Sequence, residues 1–424
     1  MTALRFCFLT TFYPPYNFGG DGIGVQRLAR ALVRAGHHVT VVHDADAYHA
    51  LAPSGENGAP RDGGTRAPNP DPEPAGLEVV TLRSRLGAAS LLLTQQLGRP
   101  VVNGRRIARL LREGRFDVIN FHNISLIGGP GLLTHGNALK AYIAHEHWLV
   151  CPTHVLWRHG REVCKERQCF RCQLSYRRPP QLWRHTGLLE RRLRHVDLFI
   201  ALSEFSRDKH REFGFSREMT LLPHFLPEAE GPTAPDRPHA RPYFMFVGRL
   251  ERIKGVQDLI PEFRGDGPAD LLIAGDGAFA GELRSLAAGL PRVRFLGRVA
   301  NETLASYYQH AIALVMPSIC YETFGLTLLE AFREGTPVIA RRLGSLTEIV
   351  EQSGGGVLFS DAGELRAVME RMRADVAHRD ALAAAGRKAF LARWTEEKVV
   401  PRYVALLRDA ARRKGDARLA HILQ

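Results

Sequence analysis

The chain has 424 residues, and its 57 Lys+Arg against 44 Asp+Glu give a formal net charge of +13. Single hydrophobic cores stop growing at about 250–300 residues, so the length predicts two domains. With 45% hydrophobic and 24% charged residues, the composition excludes a wholly disordered chain. No apolar run reaches the roughly 20 residues of a membrane-spanning helix, and residues 1–15 are typical of a first strand rather than a signal peptide. We therefore expect a cytoplasmic protein whose positive charge meets a nucleotide, a membrane surface or a nucleic acid.

The first half of the chain alternates between predicted strands and helices. An apolar run at 4–10, a helical pattern at 24–34 and a valine-rich run at 38–43 form a βαβ unit, the opening of a doubly wound α/β domain. Residues 51–76 contain six Pro and five Gly without periodicity, which predicts a flexible loop. The remaining strands predicted in this half lie at 79–82, 117–122, 139–145 and 198–201.

A proline-rich, nonperiodic stretch at 226–242 is the best candidate boundary between domains. The alternation then begins again, and residues 362–423 are helical in pattern. Strands are predicted at 243–247, 270–274, 293–296, 312–316 and 337–340, and helices at 256–263, 282–288, 304–310, 326–333 and 346–350. Such alternation predicts parallel sheets, with ligands at the carboxyl ends of the strands and in the cleft between the halves.

Two carboxylates eight positions apart, Glu322 and Glu330, form the strongest candidate site. Glu322 lies in a predicted strand-to-helix loop, and Glu330 lies just over one turn into the helix. Gly325 breaks the run before Leu326 and Thr327, whose free backbone N–H groups at the start of the helix suit a phosphate. Because carboxylates only accept hydrogen bonds, each glutamate could take a pair of them from sugar hydroxyls.

A cationic motif follows the first strand of the second half, where Gly248 precedes Arg249 and Lys254. At the mouth of a cleft both cations could hold a diphosphate, the arginine through its planar fork and the lysine as a point charge. The alternative for this segment taken alone is an exposed turn with two solvated charges.

Together these motifs resemble the retaining glycosyltransferases of family 4, which have the GT-B fold of two Rossmann-like doubly wound α/β domains facing across a cleft. The resemblance covers most of the chain and is densest over residues 243–350. The family's patterns are matched as follows: E-x7-E at Glu322 and Glu330, Gly-Arg-Leu…Lys-Gly at Arg249 and Lys254, the GDG segment at 274–277, and F-x-G at 295–297.

The resemblance implies a role for each of the four charged residues. Glu330 would bind the nucleotide ribose, and Glu322 would face the donor sugar. Arg249 and Lys254 would stabilise the leaving diphosphate as charge develops on it, so that catalysis would require no metal or other cofactor. Retention without an obvious nucleophile suggests attack by the acceptor hydroxyl on the same face of the sugar.

Weaker patterns extend the resemblance. Gly19 and Gly20 resemble the family's glycine-rich first loop, where missing side chains let the backbone approach a phosphate or the reacting sugar. Val299 follows the F-x-G segment and would lie near the base. His122 ends a predicted strand where the family often has a histidine facing the donor sugar, and residues 145–146 resemble a second polar pair near the cleft.

The activity implied by the resemblance is retaining transfer of a hexose from a nucleotide-diphosphate sugar to a hydroxyl of a glycan, lipid-linked or small-molecule acceptor, in polysaccharide biosynthesis. Two alternatives stay open. One is another GT-B sugar enzyme, an epimerase or a phosphorylase. The other is a basic, metal-stabilised nucleic-acid-binding protein. Nucleic acid is the weaker expectation, because it leaves the paired glutamates and the paired cations without a purpose.

The implied organisation divides the chain into four parts. Residues 1–228 form an N-terminal, acceptor-side domain that carries a basic four-cysteine insertion at about 148–190. Residues 229–242 are a linker, and residues 243–385 form the nucleotide-sugar-binding domain. Residues 386–424 are helices that pack back toward the N-terminal domain.

Four of the six cysteines fall within 22 residues: Cys151, Cys164, Cys169 and Cys172. In a cytosolic enzyme such a cluster is more often a set of metal ligands than of disulfides. A C-x2-C pair is typical of tetrahedral thiolate sites, so we expect structural zinc, with an iron–sulfur cluster as the alternative because C-x4-C-x2-C also matches plant-type spacing. A metal would fold a loop with too little apolar content to pack unaided; the competing interpretation is four unliganded thiols.

The same region is strongly basic, since residues 151–195 hold 11 Lys+Arg and 3 Asp+Glu. Three of the four tryptophans, Trp148, Trp157 and Trp183, lie in or beside it. Basic residues with interfacial aromatics suit an anionic membrane surface or a lipid-diphosphate acceptor, which predicts peripheral attachment at the inner face of the membrane. A solvated basic loop is the alternative.

Overall fold

The computed structural model describes residues 2–51, 72–228 and 237–423. The predicted flexible loop at 51–76 and the predicted linker at 229–242 lie mostly outside these residues. Within the described ranges, no helix combines the length and the apolar character that a membrane crossing requires.

Parallel strands and α-helices alternate through the N-terminal half. The strands are β1 (Arg5–Leu9), β2 (His38–Asp44), β3 (Leu77–Leu82), β4 (Val118–Phe121), β5 (Leu139–Ala144), β6 (Trp157–Arg158), β7 (Glu162–Val163), β8 (Leu198–Ala201) and β9 (Thr220–Leu221). The helices are α1 (Gly20–Arg34), α2 (Ala45–Leu51), α3 (Ala88–Leu97), α4 (Gly104–Glu113), α5 (Cys169–Ser175), α6 (Leu188–Leu193) and α7 (Glu204–Glu212). Seven of these strands form one parallel sheet in the order β3-β2-β1-β4-β5-β8-β9, while β6 and β7 pair as an antiparallel hairpin.

The C-terminal half repeats the arrangement. Its strands are β10 (Tyr243–Val247), β11 (Asp270–Ala274), β12 (Val293–Gly297), β13 (Ala313–Met316), β14 (Val338–Arg341) and β15 (Gly356–Phe359). Its helices are α8 (Val256–Leu259), α9 (Ala280–Leu286), α10 (Asn301–Gln309), α11 (Leu326–Arg333), α12 (Ser345–Ser353), α13 (Ala362–Ala374), α14 (Val376–Arg393), α15 (Glu396–Lys414) and α16 (Ala417–Ile422). The strands pair in parallel in the order β12-β11-β10-β13-β14-β15, which confirms the prediction of two doubly wound α/β halves.

The central strands are apolar runs because helices cover both faces of each sheet. In β10, every residue of the sequence YFMFV is buried, as is typical of parallel sheets. The carboxyl ends of β1, β4 and β5 lie at one edge, because Leu9 pairs with Phe121 in the same register in which Phe121 pairs with Tyr142. This edge presents the residues that follow each strand to the C-terminal half.

Several predicted elements differ in extent from the observed ones. Helix α1 begins at Gly20 rather than at 24, because glycines at 20, 22 and 24 hide a helical segment that has low intrinsic propensity. Gly24 is required there, since a Cβ at this position would lie 2.4 Å from Cε1 of His224. The predicted helix at 256–263 is α8 followed by a 3-10 turn, because Pro261 lacks the N–H that would continue an α-helix.

The last helices return to the N-terminal half. Helix α15 packs against α1, β5 and β8. Lys414 Nζ donates to Asp197 Oδ2 at 2.8 Å, and Arg34 forms an ion pair with Glu396. The chain therefore passes from the first half to the second and back again.

Candidate active site

Arg249 is positioned by a glycine-lined crossing of two loops at the carboxyl end of β10. Gly248 N donates to Ala274 O at 3.1 Å, and a Cβ on Gly275 would lie only 1.9 Å from Gly248 O. The backbone after β10 is therefore fixed against the backbone after β11. From this position the Arg249 side chain, 46% exposed, reaches Glu251 Oε1 at 2.9 Å.

Lys254 and Glu322 form a half-buried ion pair at the carboxyl ends of β10 and β13. Lys254 Nζ donates to Glu322 Oε1 at 2.7 Å, and Ser318 Oγ donates to the same oxygen at 2.8 Å. The turn that carries Lys254 is held close to the loop after β13, since a Cβ on Gly255 would lie 1.9 Å from Pro317 O. The two sequence motifs thus meet in space.

Burial and mutual attraction act in opposite directions on this pair. Burial disfavours the charged form of Glu322, but Lys254 and the hydrogen bond from Ser318 outweigh it and lower the pKa of the carboxyl. Burial likewise opposes the charge on Lys254, and the attraction of Glu322 outweighs it and raises the pKa of the amine. Both groups therefore stay charged at neutral pH.

The start of α11 faces the glycine-rich loop that precedes α1. Gly325 is the N-cap and contributes no side-chain hydrogen bond, so the first N–H groups of Leu326 and Thr327 stay available on the cleft side. A Cβ on Gly20 would lie 2.8 Å from Cδ1 of Leu326, and a Cβ on Gly19 would lie 3.3 Å from Nε of Arg249. The sequence-predicted residues Gly19 and Gly20 thus lie against Arg249 and Leu326 across the cleft.

Glu330 lies one turn into α11 and already has two hydrogen-bonding partners. Tyr308 donates its hydroxyl to Glu330 Oε2 at 3.2 Å, and Arg27 Nη2 approaches Glu330 Oε1 at 3.5 Å from the N-terminal half. Arg27 Nη1 has no hydrogen-bond partner among the described residues. A ligand bound at Glu330 would therefore also find a hydrogen-bond donor in Nη1 of Arg27 on α1.

His122 is the buried member of a row of three imidazoles. Its Nδ1 lies 2.8 Å from His145 Nε2, and the rings of His145 and His224 lie 5.2 Å apart. Burial, and then the neighbouring imidazoles, lower the pKa of His122 well below its usual range; burial lowers the pKa of His145 to about 4. His122 is only 1% exposed, so it lies beneath the surface of the cleft as a neutral group.

Two further sequence-predicted positions, Val299 and the pair at 145–146, have different surroundings. Val299, two residues after β12, is partly buried against the core of the C-terminal half. Glu146 does not accompany His145 into the row of imidazoles, because its Oε2 binds His154 Nδ1 at 2.8 Å. His145 therefore belongs to the row of imidazoles, whereas Glu146 contacts His154 in the cysteine-containing segment.

Two protein-family models match the chain. The model of glycosyltransferase family 4 matches residues 18–230, about half of the chain, and the model of group 1 glycosyl transferases matches residues 241–375. The chain belongs to the family 4 glycosyltransferases. The second match contains both charged motifs of this glycosyltransferase, and the first contains its glycine-rich loop.

Relatives and solved structures extend the comparison. Glycogen synthase of Mycobacterium tuberculosis is 29% identical over 373 residues, which cover 84% of this chain and 82% of the relative. A D-inositol 3-phosphate glycosyltransferase of Geodermatophilus obscurus is 35% identical over 189 residues, 39% of this chain and 41% of the relative.

Two solved structures have the same fold over nearly the whole chain. Sucrose-phosphate synthase from Thermosynechococcus elongatus has a TM-score of 0.70 at 20% identity and covers 96% of this chain and 98% of that one. Anabaena HepE in complex with UDP and glucose has a TM-score of 0.64 at 18% identity, with 95% and 99% covered. These matches confirm the GT-B fold of the glycosyltransferase.

Sequence patterns missed several residues that contact the predicted ones. Ser318, Tyr308 and Arg27 hydrogen-bond the two glutamates, and His224 completes the row of imidazoles. Tyr308 and Arg27 lie 22 and 303 positions from Glu330, so no local motif could connect them. Ser318 lies four positions before Glu322, and this spacing was the one available signal.

Direct hydrogen bonds hold the two halves of the glycosyltransferase together beside the site. Ser203 Oγ donates to Thr323 O at 2.8 Å, and Thr323 Oγ1 donates to His145 O at 2.7 Å. Glu348 accepts the backbone N–H groups of Glu204 and Phe205, at 3.0 and 2.9 Å, at the start of α7. The loop that carries Glu322 is thereby tied to the N-terminal half.

The four clustered cysteines line one small cavity in the N-terminal half. Cys151, Cys164, Cys169 and Cys172 all border a space of about 20 Å³, together with Trp157. In the described ranges, no group of three or more His, Cys, Asp or Glu side chains is arranged to hold a metal ion. The expectation that this segment has too little apolar content to pack was wrong. Its core residues are Trp148, Leu149, Val150, Cys151, Leu156 and Trp183.

Proposed function

We propose that this glycosyltransferase moves a hexose from a nucleotide-diphosphate sugar to an acceptor hydroxyl with retention of anomeric configuration. The observation that carries the proposal is the convergence of Arg249, Lys254 and the start of α11 opposite the glycine-rich loop. Preorganised donors and cations of this kind stabilise charge that develops on a leaving diphosphate. The loop glycines leave room for the backbone to approach the reacting group.

Glu322 and Lys254 would act as one unit in this reaction. Lys254 keeps the carboxylate charged, and Glu322 holds the ammonium group at a fixed position. Arriving phosphate oxygens would draw the ammonium toward the diphosphate, while Ser318 continues to hold Glu322 Oε1. The carboxylate would then be free to accept hydrogen bonds from hydroxyls of the donor sugar.

Glu330 suits the ribose of the nucleotide. Its contact with Arg27 is long, at 3.5 Å, so two ribose hydroxyls could replace it while Tyr308 keeps the other oxygen. His122 and His145, both neutral, would offer hydrogen bonds rather than positive charge beneath the donor sugar. Attack by the acceptor on the face that the leaving group vacates fits a site without an obvious nucleophile.

A panel of nucleotide sugars tests the donor, because a ligand that binds the native state raises its apparent stability. UDP-glucose is the first probe, since neighbours of the same fold bind UDP and UDP-glucose. We expect a thermal shift in the wild type and none in Glu330→Ala, with Glu334→Ala, one turn further along the chain, as the control. Proton NMR of the product then determines its anomeric configuration. A product of inverted configuration, or no thermal shift with any nucleotide sugar, would refute the proposal.

The acceptor, we propose, is presented at an anionic membrane. An apolar patch on the N-terminal half supports this proposal. It consists of exposed Leu86, Leu92, Leu93, Leu97, Val101, Val102, Phe170, Leu174 and Leu182. Helix α3 and the segment at 179–183 form one surface, because Gln96 Nε2 donates to Pro179 O and Trp183 Nε1 donates to Gln95 O. Exposed apolar residues grouped on one surface are typical of an interaction site.

The charge around the apolar patch is of one sign. Residues 83–112 contain seven arginines and residues 169–189 contain four, and neither stretch has an acidic residue. Cations beside exposed leucines suit anionic lipid headgroups over an acyl-chain boundary.

Vesicle flotation tests the membrane proposal separately from the donor. We expect binding to vesicles containing phosphatidylglycerol at low salt, at least tenfold weaker binding after Leu92→Glu with Leu93→Glu, and unchanged binding after Leu391→Glu on α14. Absence of binding to anionic vesicles would refute a membrane-held acceptor and leave the transfer reaction in place.

A further inference from the structure

The geometry points to a site for one zinc ion in the cysteine-lined cavity: we propose that Cys151, Cys164, Cys169 and Cys172 bind Zn²⁺ as four thiolates. The cavity measures about 20 Å³, and a space of roughly 10–15 Å³ is needed for one water-sized sphere. It therefore has room for a single ion. Four thiolates around one ion are the common ligand set of structural zinc.

The local fold delivers the cysteines to this cavity from three directions. Cys151 ends the buried segment after β5, Cys164 directly follows β7, and Cys169 and Cys172 lie on the first turn of α5. Cysteines three positions apart at the start of a helix point to one side, because residues i and i+3 share a helix face. No histidine is among the described residues that line the cavity, so sulfur is the ligand type offered.

The thiol protons explain why the sulfurs are not already in ligand geometry. Cys164 Sγ donates to Glu166 O at 3.2 Å, and Cys172 Sγ donates weakly to Trp157 O at 4.0 Å. A thiolate has no proton to donate, so both contacts belong to the metal-free protein. Binding would release one proton per thiol and let each sulfur turn into the cavity about its single side-chain torsion.

The surroundings suit the negative charge of four thiolates around a divalent ion. His159 N donates to Cys172 Sγ at 3.3 Å, the type of backbone hydrogen bond that stabilises a metal-bound sulfur. Arg184 lies within electrostatic reach of Cys151 and Cys169. Its guanidinium stacks on Trp183, 4.7 Å from the ring centre, and is held there by Trp148 O at 2.9 Å.

Backbone strain between two of the cysteines indicates what the ion would do. His154, Leu156 and His159 have φ values of 75°, 48° and 53°, and all three lie between Cys151 and Cys164. Non-glycine residues in such conformations cost roughly 1–3 kcal/mol each and persist only where the surroundings fix them. A zinc ion bonded to both ends of this segment, and to α5, would supply that constraint.

Metal analysis of the full-length wild type tests the site without any variant. We expect close to one zinc per chain by inductively coupled plasma mass spectrometry, loss of it to a strong chelator, and recovery on adding Zn²⁺. Replacement by Co²⁺ should give the sulfur-to-cobalt charge-transfer absorption of a tetrahedral thiolate site. Less than about a tenth of an equivalent of zinc, before and after reconstitution, would overturn the proposal, because a structural site is near full occupancy. Iron with acid-labile sulfide would overturn it in favour of an iron–sulfur cluster.

Variants then assign the ligands. Cys164→Ser and Cys169→Ser alter half-buried positions and should each weaken metal binding at least tenfold and change the cobalt spectrum. Cys7→Ala, in strand β1, is the control that should retain both. Full zinc affinity and an unchanged cobalt spectrum in the two serine variants would contradict the proposed ligand set.

Discussion

Breaking the ion pair between Lys254 and Glu322 should lower stability more than breaking a surface pair. At 2.7 Å the gross attraction is about 6 kcal/mol at an effective dielectric constant of about 20 and about 1.5 kcal/mol in bulk water. Desolvation offsets much of the larger figure, and net values for hydrogen bonds to charged groups are about 1.5–3 kcal/mol. We therefore expect a coupling energy of about 2 kcal/mol, a factor of about 30 in the unfolding equilibrium.

A double-mutant cycle in equilibrium urea unfolding at pH 7 measures this coupling. Lys254→Met alone leaves the half-buried Glu322 with Ser318 as its remaining partner, so adding Glu322→Gln should restore part of the lost stability. The control cycle uses Arg342 and Glu351, 3.4 Å apart and 53% and 60% exposed, whose coupling should stay below about 0.5 kcal/mol. Additive effects of Lys254→Met and Glu322→Gln would refute the reasoning.

Three further predictions concern stability. Gly275→Ala should lower the free energy of unfolding by about 3 kcal/mol, because the new Cβ would lie 1.9 Å from a backbone oxygen at a φ of 133°. Gly289→Ala, at a φ of 75° in open space, should lower it by about 1 kcal/mol. Equal urea midpoints of the two variants would contradict this prediction. Tyr403→Phe should raise the free energy of unfolding by about 1 kcal/mol, since the buried hydroxyl has no hydrogen-bond partner among the described residues. A loss of stability measured by calorimetry would contradict this prediction. Because the pKa of Glu322 is lowered below its usual 4.5, its contribution should be present above pH 4.5 and lost as pH falls through the folded-state pKa. The midpoint difference from Glu322→Gln should shrink there, and a difference independent of pH down to 3 would contradict the sign.

The sequence was most informative where local chemistry decides the structure. The strands at 243–247 and 270–274 were predicted with their observed ends, because strands buried on both faces are apolar runs bounded by turn residues. Helix α11 was predicted over 326–333, with Gly325 breaking the run directly before it. Strand β15 and helix α7 were not predicted.

Long-range contacts were beyond the reach of sequence patterns. Local spacing identified Glu330 but not Arg27, which comes from the other half of the chain. It identified His122 but not its complete burial beside His145, which depends on how two parallel strands end at the same edge. The roles implied for these residues stay predictions until ligands are bound.

Among the described residues, the end of the first half contacts the junction of α14 and α15, where the chain returns from the second half. Leu226, near the end of the first described half, donates its N–H to Trp394 O at 3.0 Å and forms a bridge with Thr395, where α14 gives way to α15. A motion that opens the cleft while preserving this contact is a hinge rotation of one half relative to the other about it. Such a rotation must break the hydrogen bonds that Ser203, Thr323 and Glu348 form between the two halves beside the site.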